Sequence, residues 1–600
     1  MRLPCVATQI ALQKILDENS CWASNLTRLD APAPSPFPII GLMQNHTVSP
    51  RALRLKIVIL CLALLVPALA RAQAFIGKPK LIVIVVIDQF RADYLNRHAA
   101  DFKGRGFNLF MKEGAWFTDC YYDYANTKTA PGHSTIGTGA YTDGHGIESN
   151  EWWDAARGYD HQVTSVEDER YQLVDLPPAS SSARQPGASP LNLRATTLGD
   201  ELRLATQGRA RVYGVSLKDH ASILPTGQAA NGAFWIDQSS GQFTTSTYYM
   251  QHLPAWATAF NHSGRIAQAE QEAGAPGAKN FYNQVGKTPA ANRYELDFAR
   301  DLITSEHLGQ SGVTDLLVVS LSANDIQGHQ FGPDSDSENK MILSLDQDLG
   351  SFFSWLDQSI GLNNVWLALT ADHGIAPIPG EAAKLGIQAA TVNMKKVYAA
   401  LNAELNQRHS PGQNLSYLLP GPDLPYIVLD KRTYAKLNIS EAAAEDELAA
   451  LLPDAVAAQA PKPDETLPAD HRLPVTPHLH NVYTRLQLVN GPLPPSDWGR
   501  ILAHSVVDHG NWYVMAILDP YQMAGASAFA GTNHFTPWSY DRHVPLAFYG
   551  QPFIPGEYHG RVAPVDLAVT LASLAGINLP SAAVGHVLTQ AIHTIHPAGQ

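Results

Sequence analysis

The sequence predicts an α/β protein with a mainly parallel central sheet flanked by helices. Three observations carry this expectation. The runs LIVIVVIDQ (Leu81–Gln89), LLVVSLSAND (Leu316–Asp325) and VWLALTADHG (Val365–Gly374) are apolar and rich in β-branched residues, without alternation. Such runs mark strands buried on both faces. Each ends in a carboxylate, Asp88, Asp325 or Asp372, and helix-compatible stretches such as 339–356, with Leu343, Leu345 and Leu349, separate them.

In chain order, the first element is a leader. Arg51, Arg54 and Lys56 precede IVILCLALLVPALA and the small-residue site Ala70-Arg71-Ala72. A basic flank, a short apolar run and an A-x-A site read as a cleaved signal peptide, since the run is short for a bilayer span. Residues 1–42 sit upstream of this signal, so Met43 is an alternative start. Residues 73–150, 301–375 and 531–600 are expected to form the α/β core, closed by the VPLAFYG strand (Val544–Gly550) and a helix after Val565. Residues 151–300, with the hairpin-like FWIDQSSGQFTTSTYY, read as an inserted substrate-site segment. Residues 376–530 read as an α+β accessory insertion, with helical stretches at 399–407 and 440–452 and a Pro-rich linker near 460–477.

Composition narrows the function. The 600 residues are 45% hydrophobic and 16% charged, with a formal net charge of −13. A chain this acidic has no electrostatic footprint for nucleic acid. Removal of the leader takes Cys5, Cys21 and Cys61 with it and leaves Cys120, so no internal disulfide framework is expected. The expected product is an exported protein without a stable membrane span.

Ligands of open α/β sheets bind beyond the carboxyl ends of the strands, where Asp88, Asp325 and Asp372 are expected together. His329 follows Asp325 by four positions, His373 follows Asp372 directly, and His534 precedes the VPLAFYG strand, with His543 as the alternative there. Carboxylate and imidazole without thiolate suit a catalytic zinc-type site with room for substrate. The donors suffice for two metals, which clamp the attacking and leaving oxygens of an in-line displacement. In YANTKTAPGHSTIGTG (Tyr124–Gly139), Pro131 suits an early helical position. Thr129 then lies at a helix N-terminus that favours an anion. It reads either as a nucleophile activated by metal or as a simple N-cap.

The ordered segments DQFRADYL, TAPGHSTIGTG, GIESNEWWD, SLKDHASIL, DIQGHQFGP, TADHG and GTNHFTPWSYDRHVPLAFYG resemble the alkaline phosphatase superfamily, in the branch shared with type I phosphodiesterases/nucleotide pyrophosphatases. The likeness is greatest to its phosphate-irrepressible alkaline phosphatases and covers roughly residues 80–590. It implies a phosphate-ester hydrolase with two zinc ions and a phosphothreonine intermediate at Thr129. One zinc is expected on Asp325, His329 and His534, and the other on Asp88, Asp372, His373 and Thr129. Asn150 and Lys218 are expected to contact phosphoryl oxygens.

Two positions depart from that pattern. His220 stands where the monoesterase pattern has arginine, which replaces a fixed planar charge with a pH-dependent one. Phe535 stands where glycine is expected and narrows the rim of the site. Lys218 favours a monoester substrate, and His220 leaves a phosphodiesterase or nucleotide pyrophosphatase as the alternative. A sulfatase is disfavoured because Cys120 lies in CYYDY, away from any Cys-x-Pro-x-Arg segment. A non-catalytic metal- or phosphate-binding protein is the reading from a different class.

Overall fold

The computed structural model describes residues 77–593, apart from residue 160 and the stretches 177–185, 422–423, 461–474, 507–509 and 526–530. The expected signal segment, the alternative start at Met43, Cys5, Cys21, Cys61 and the Asp508-His509 pair lie outside the described residues. So does most of the Pro-rich linker.

Nine strands form the main sheet: β1 (Leu81–Ile87), β2 (Ala115–Tyr121), β3 (Val212–Ser216), β4 (Gly232–Ile236), β5 (Phe243–Thr244), β6 (Asp315–Leu321), β7 (Val365–Thr370), β8 (His543–Tyr549) and β9 (Gly556–Tyr558). Their spatial order is β9-β2-β8-β7-β1-β6-β3-β4-β5. All seven side chains of β1 are apolar and buried, which places it at the centre. Each contributes roughly 1.5–3 kcal/mol by leaving water.

Register decides where the site forms. β1 runs parallel to β6 and β7, with Ile87 opposite Leu321 and Val86 opposite Thr370. The three strands therefore end level, and Asp88, Asp325 and Asp372 emerge at one edge. β6 pairs in parallel with β3, and β3 with β4. β8 runs antiparallel to both β7 and β2, so the VPLAFYG run is a core strand of reversed direction.

The segment 151–300, expected as a single insertion, supplies three strands of the main sheet, β3, β4 and β5. The run VYGVS in β3 has only five residues, too few for a periodic signal, and pairing with β6 makes it a strand. The expected hairpin is present: Trp235 pairs with Thr244 and Ile236 with Phe243. Residues 376–530 carry a separate antiparallel sheet of Tyr426–Val428, Tyr513–Leu518 and Leu479–Thr484.

Seven helices matter below: α1 (Thr129–Thr138), α2 (Pro289–Ser305), α3 (Ala323–Phe331), α4 (Asp336–Ser359), α5 (Met394–His409), α6 (Glu441–Ala457) and α7 (Val565–Ala575). Leu401 of α5 and Leu448 of α6 share an apolar cluster with Val514 of the accessory sheet. Among the described residues no helix is long and apolar enough to cross a membrane.

Candidate active site

The chain enters α1 through Lys128 in extended conformation, which occupies the N-cap position, and Thr129 is the first helical residue. The N-cap reading of Thr129 is thereby replaced. Its hydroxyl lies 3.5 Å from His373 Nε2, at the positive end of the helix dipole. The whole of α1 is buried. Gly132 permits this, because a Cβ there would lie 2.3 Å from the carbonyl oxygen of Asp372.

Three imidazoles meet three carboxylates at the strand ends. His329 Nε2 is 3.2 Å from Asp325 Oδ1, and His534 Nε2 is 4.0 Å from the same oxygen. His373 Nε2 is 3.5 Å from both Asp88 Oδ1 and Asp372 Oδ2. Each ring turns its Nδ1 to a backbone carbonyl: His373 to Gly374, His329 to Thr532 and His534 to Thr127, at 2.9, 3.0 and 2.5 Å. These contacts match the carbonyl partners that orient metal-ligating histidines and turn each Nε2 toward the carboxylates, although burial of His329 is outweighed by Asp325, which raises that imidazole above its usual range.

The electrostatics follow from crowding. Burial and the charges of Asp325 and Asp372 raise the Asp88 carboxyl well above its usual range. Burial alone would raise Asp325, yet the Lys218 ammonium and His329 hold it well below. Burial lowers His373 and, more strongly, His534, keeping both neutral. Two of the three buried carboxylates thus share one ammonium, Lys218 Nζ, at 2.6 Å from Asp88 Oδ2 and 2.5 Å from Asp325 Oδ2. Asp88 Oδ1 and Asp372 Oδ2 are buried and accept no hydrogen bond. Orphaned carboxylate oxygens beside deprotonated imidazole nitrogens fit divalent cations. The donor atoms of Asp88, Asp372 and His373 lie within 4.8 Å of one another, as do those of Asp325, His373 and His534.

The remaining candidates border the same space. A cavity of ≈ 510 Å³ is lined by Thr129, Asn150, Lys218, His220, His329 and His534, among others. Asn150 Oδ1 accepts the backbone N–H of Ala130 at 2.8 Å, which anchors the side chain beside Thr129. His220 pairs Nδ1 and its backbone N–H with Asp219 Oδ1 at 2.9 and 2.7 Å. Its Nε2 is buried without a partner.

The structure also brings in residues that the sequence reading passed over. Gln89 takes a positive φ of 64°, donates its N–H to Asp372 Oδ1 at 3.0 Å, and donates Nε2 to Asp325 Oδ1 at 2.6 Å. His133 ties α1 to the sheet through Thr129 O at 2.9 Å and Ser320 Oγ at 2.7 Å. Thr127 accepts the Phe535 and Thr536 N–H groups on Oγ1 at 3.2 and 3.0 Å, clamping the His534 loop to the segment leading to Thr129. Phe535 is held at φ 87°. By contrast, His543, the alternative to His534, stacks on Tyr121 at 4.3 Å and bonds Thr118 O through Nε2 at 2.7 Å. Those partners leave it no part in the site. His478 and His480 form a surface pair with Asp519. Cys120 is buried and free.

The family model for type I phosphodiesterase / nucleotide pyrophosphatase matches residues 82–526. The chain belongs to this family and is a phosphoric ester hydrolase. Alkaline phosphatase PhoV of Synechococcus elongatus is 32% identical over 590 residues, covering 89% of this chain and 99% of PhoV. Alkaline phosphatase PafA of Elizabethkingia meningoseptica is 32% identical, covering 86% of this chain and 95% of PafA. The crystal structure of PafA superposes with a TM-score of 0.75 at 28% identity, covering 86% of this chain and 100% of that one. A second PafA structure carries substitutions at a threonine, at an asparagine 21 positions later, and at a lysine and an arginine two positions apart.

Proposed function

We propose that this chain is an exported alkaline phosphatase with two zinc ions, which hydrolyses phosphate monoesters through a phosphothreonine at Thr129. The observation that carries this reading is the hydroxyl of Thr129 at the buried start of α1, 3.5 Å from His373 Nε2 and beside two overlapping Asp/His clusters. Asp325, His329 and His534 would hold one zinc, and Asp88, Asp372 and His373 the other, which Thr129 also faces. When bound, zinc supplies Lewis acidity that polarises the phosphoryl group and eases ionisation at the attacking and leaving oxygens.

The protein's own groups do the rest. α1 sets the positive end of its dipole toward the negative phosphoryl group. Asn150, held by Ala130 through Oδ1, keeps its amide N–H groups for a non-bridging oxygen. Lys218 adds positive charge on the same side. Thr129 Oγ gives up its proton to solvent and forms a P–O bond as the ester P–O bond breaks, and the leaving alkoxide takes a proton from solvent. Water then attacks phosphorus and gives up a proton, the Thr129 O–P bond breaks with Oγ taking a proton back, and inorganic phosphate departs. Thr129 and Asn150 are 21 positions apart, and Lys218 and His220 two, the same spacings as in the substituted PafA. That agreement supports the roles given to the first three, with His220 standing where PafA has arginine.

The second reading, a phosphodiesterase or nucleotide pyrophosphatase, is favoured by His220, because a diester carries one negative charge and depends less on arginine. With zinc supplied, kcat/KM for an aryl monoester is expected to exceed that for a bis-aryl diester, and the reverse ranking selects the second reading. Thr129→Ala is expected to lose at least ~10³-fold in kcat, on the scale of removing a covalent nucleophile. Acid quench during turnover is expected to trap phosphate on Thr129. Full activity in Thr129→Ala would end the phosphothreonine proposal.

A further inference from the structure

The ≈ 510 Å³ cavity falls within the ~300–1,000 Å³ typical of sites that enclose whole small-molecule ligands, well beyond what a phosphoryl group alone needs. Thr129, Asn150, Lys218 and the histidines line one part of it. Leu173, Leu217, Trp235, Ile236 and Tyr282 line another, and these come from the 151–300 segment. Two pieces of that segment lock together to form this wall: the backbone N–H groups of Phe281 and Tyr282 donate to the carbonyls of Ser239 and Gln238, at 3.1 and 3.0 Å. The β4–β5 hairpin thus fixes the position of Tyr282.

Two of the polar side chains on this wall, Asp237 and Thr244, are already engaged. Asp237 Oδ2 accepts Ser239 Oγ, Ser240 N and Ser240 Oγ at 2.6, 2.8 and 2.7 Å. Thr244 Oγ1 donates to Val174 O at 2.7 Å. A sugar or polyol leaving group needs several free donors and acceptors, and an unpaired hydroxyl against this wall would cost binding. Phe535, held at φ 87°, lines the same cavity and adds another aromatic ring. Backbone strain at a non-glycine residue persists where the surroundings enforce it, often at ligand clamps.

Resting on the hydrolase reading above, we propose that the wall of Trp235, Ile236 and Tyr282 is a leaving-group subsite that selects phosphate esters of aromatic alcohols over those of polyols. Aromatic rings meet in offset or edge-to-face arrangements, and a flat apolar leaving group buries its faces here without stranding a hydroxyl.

The test separates the subsite from turnover. Benzylphosphonate and methylphosphonate are titrated against the zinc-loaded protein and read by calorimetry. Benzylphosphonate is expected to bind at least ~10-fold more tightly, as burial of one ring predicts. That advantage is expected to shrink to under ~3-fold in Tyr282→Ala and in Trp235→Leu, while inorganic phosphate binds all three proteins alike. In turnover, the same variants are expected to lose kcat/KM for phenyl phosphate and to keep it for glycerol phosphate. Equal phosphonate affinities in the native protein overturn the subsite, and so does an advantage that survives in Tyr282→Ala. Absence of turnover with every ester overturns the hydrolase reading instead, because the phosphonate ratio is measured without it.

Discussion

At the scale of single residues, His220 and Gly132 carry the sharpest consequences. His220 lines the cavity with Nε2 unpartnered, at a position where a guanidinium would offer a planar fork to two phosphoryl oxygens. His220→Arg is expected to raise kcat/KM for a monoester by ~10-fold or more, since a charge-assisted hydrogen bond contributes roughly 1.5–3 kcal/mol. The diester rate is expected to change little, and an equal rise for both substrates would contradict the electrostatic argument. Gly132→Ala tests the closeness of α1 to the Asp372 strand end. Its Cβ would lie 2.3 Å from a backbone carbonyl and 2.7 Å from the Asp372 Cβ, so α1 must move away from the sheet. A displacement of ~1 Å costs catalysis about 10²-fold, and overpacking costs roughly 1–3 kcal/mol. Steady-state kinetics and a thermal melt measure both losses.

At the scale of elements, α6 shows how a buried acid limits stability. Glu445 is buried, with Oε2 accepting the Leu486 N–H at 3.1 Å and Oε1 unpartnered. Burial, with the charge of Glu441 adding to it, pushes its carboxyl up to about 7. A raised carboxyl holds its proton longer in the folded state than in the unfolded one. Its ionisation therefore costs nothing below the unfolded value near 4.5, and the cost grows as pH rises to about 7. Glu445→Gln is expected to stabilise the fold above pH ~7 by on the order of 2 kcal/mol and to have little effect near pH 4. Denaturant melts at both pH values measure the difference, and equal gains at the two would contradict it.

At the scale of the whole molecule, the site joins segments far apart in the chain. The Gln89 to Asp325 bond spans 236 positions, the His133 to Ser320 bond 187, and the His534 to Thr127 bond 407. A divalent ion held jointly by these segments would link metal binding to global stability. Chelation is expected to abolish turnover and lower Tm, and added zinc to restore both. Free zinc at ~100 times its Kd stabilises by about 2.7 kcal/mol. A melt indifferent to chelator and to zinc would count against a metal at the strand ends.

The same distances explain what could be read from the sequence. The strands of the sheet centre were legible, because a run such as LIVIVVI has one stable place, buried on both faces. Asp88, Asp325 and Asp372 were legible as its ends, and the adjoining His329 and His373 with them. Gln89, His133 and Thr127 were not, because a glutamine, a histidine and a threonine have no local periodicity, and their roles come from partners hundreds of positions away. The strands of the 151–300 segment are not legible for a related reason: β3 and β4 are short, and only pairing beside β6 makes them sheet. The sequence by itself determined the α/β class and the chemistry of the donors, through hydrophobic runs and residue types that act locally. The tertiary structure alone decided the level ending of β7, β1 and β6, the carbonyl partners of the three histidines, and the aromatic wall of the cavity that Thr129 also lines. Each depends on hydrogen bonds and packing that exist only once distant segments have closed on one another.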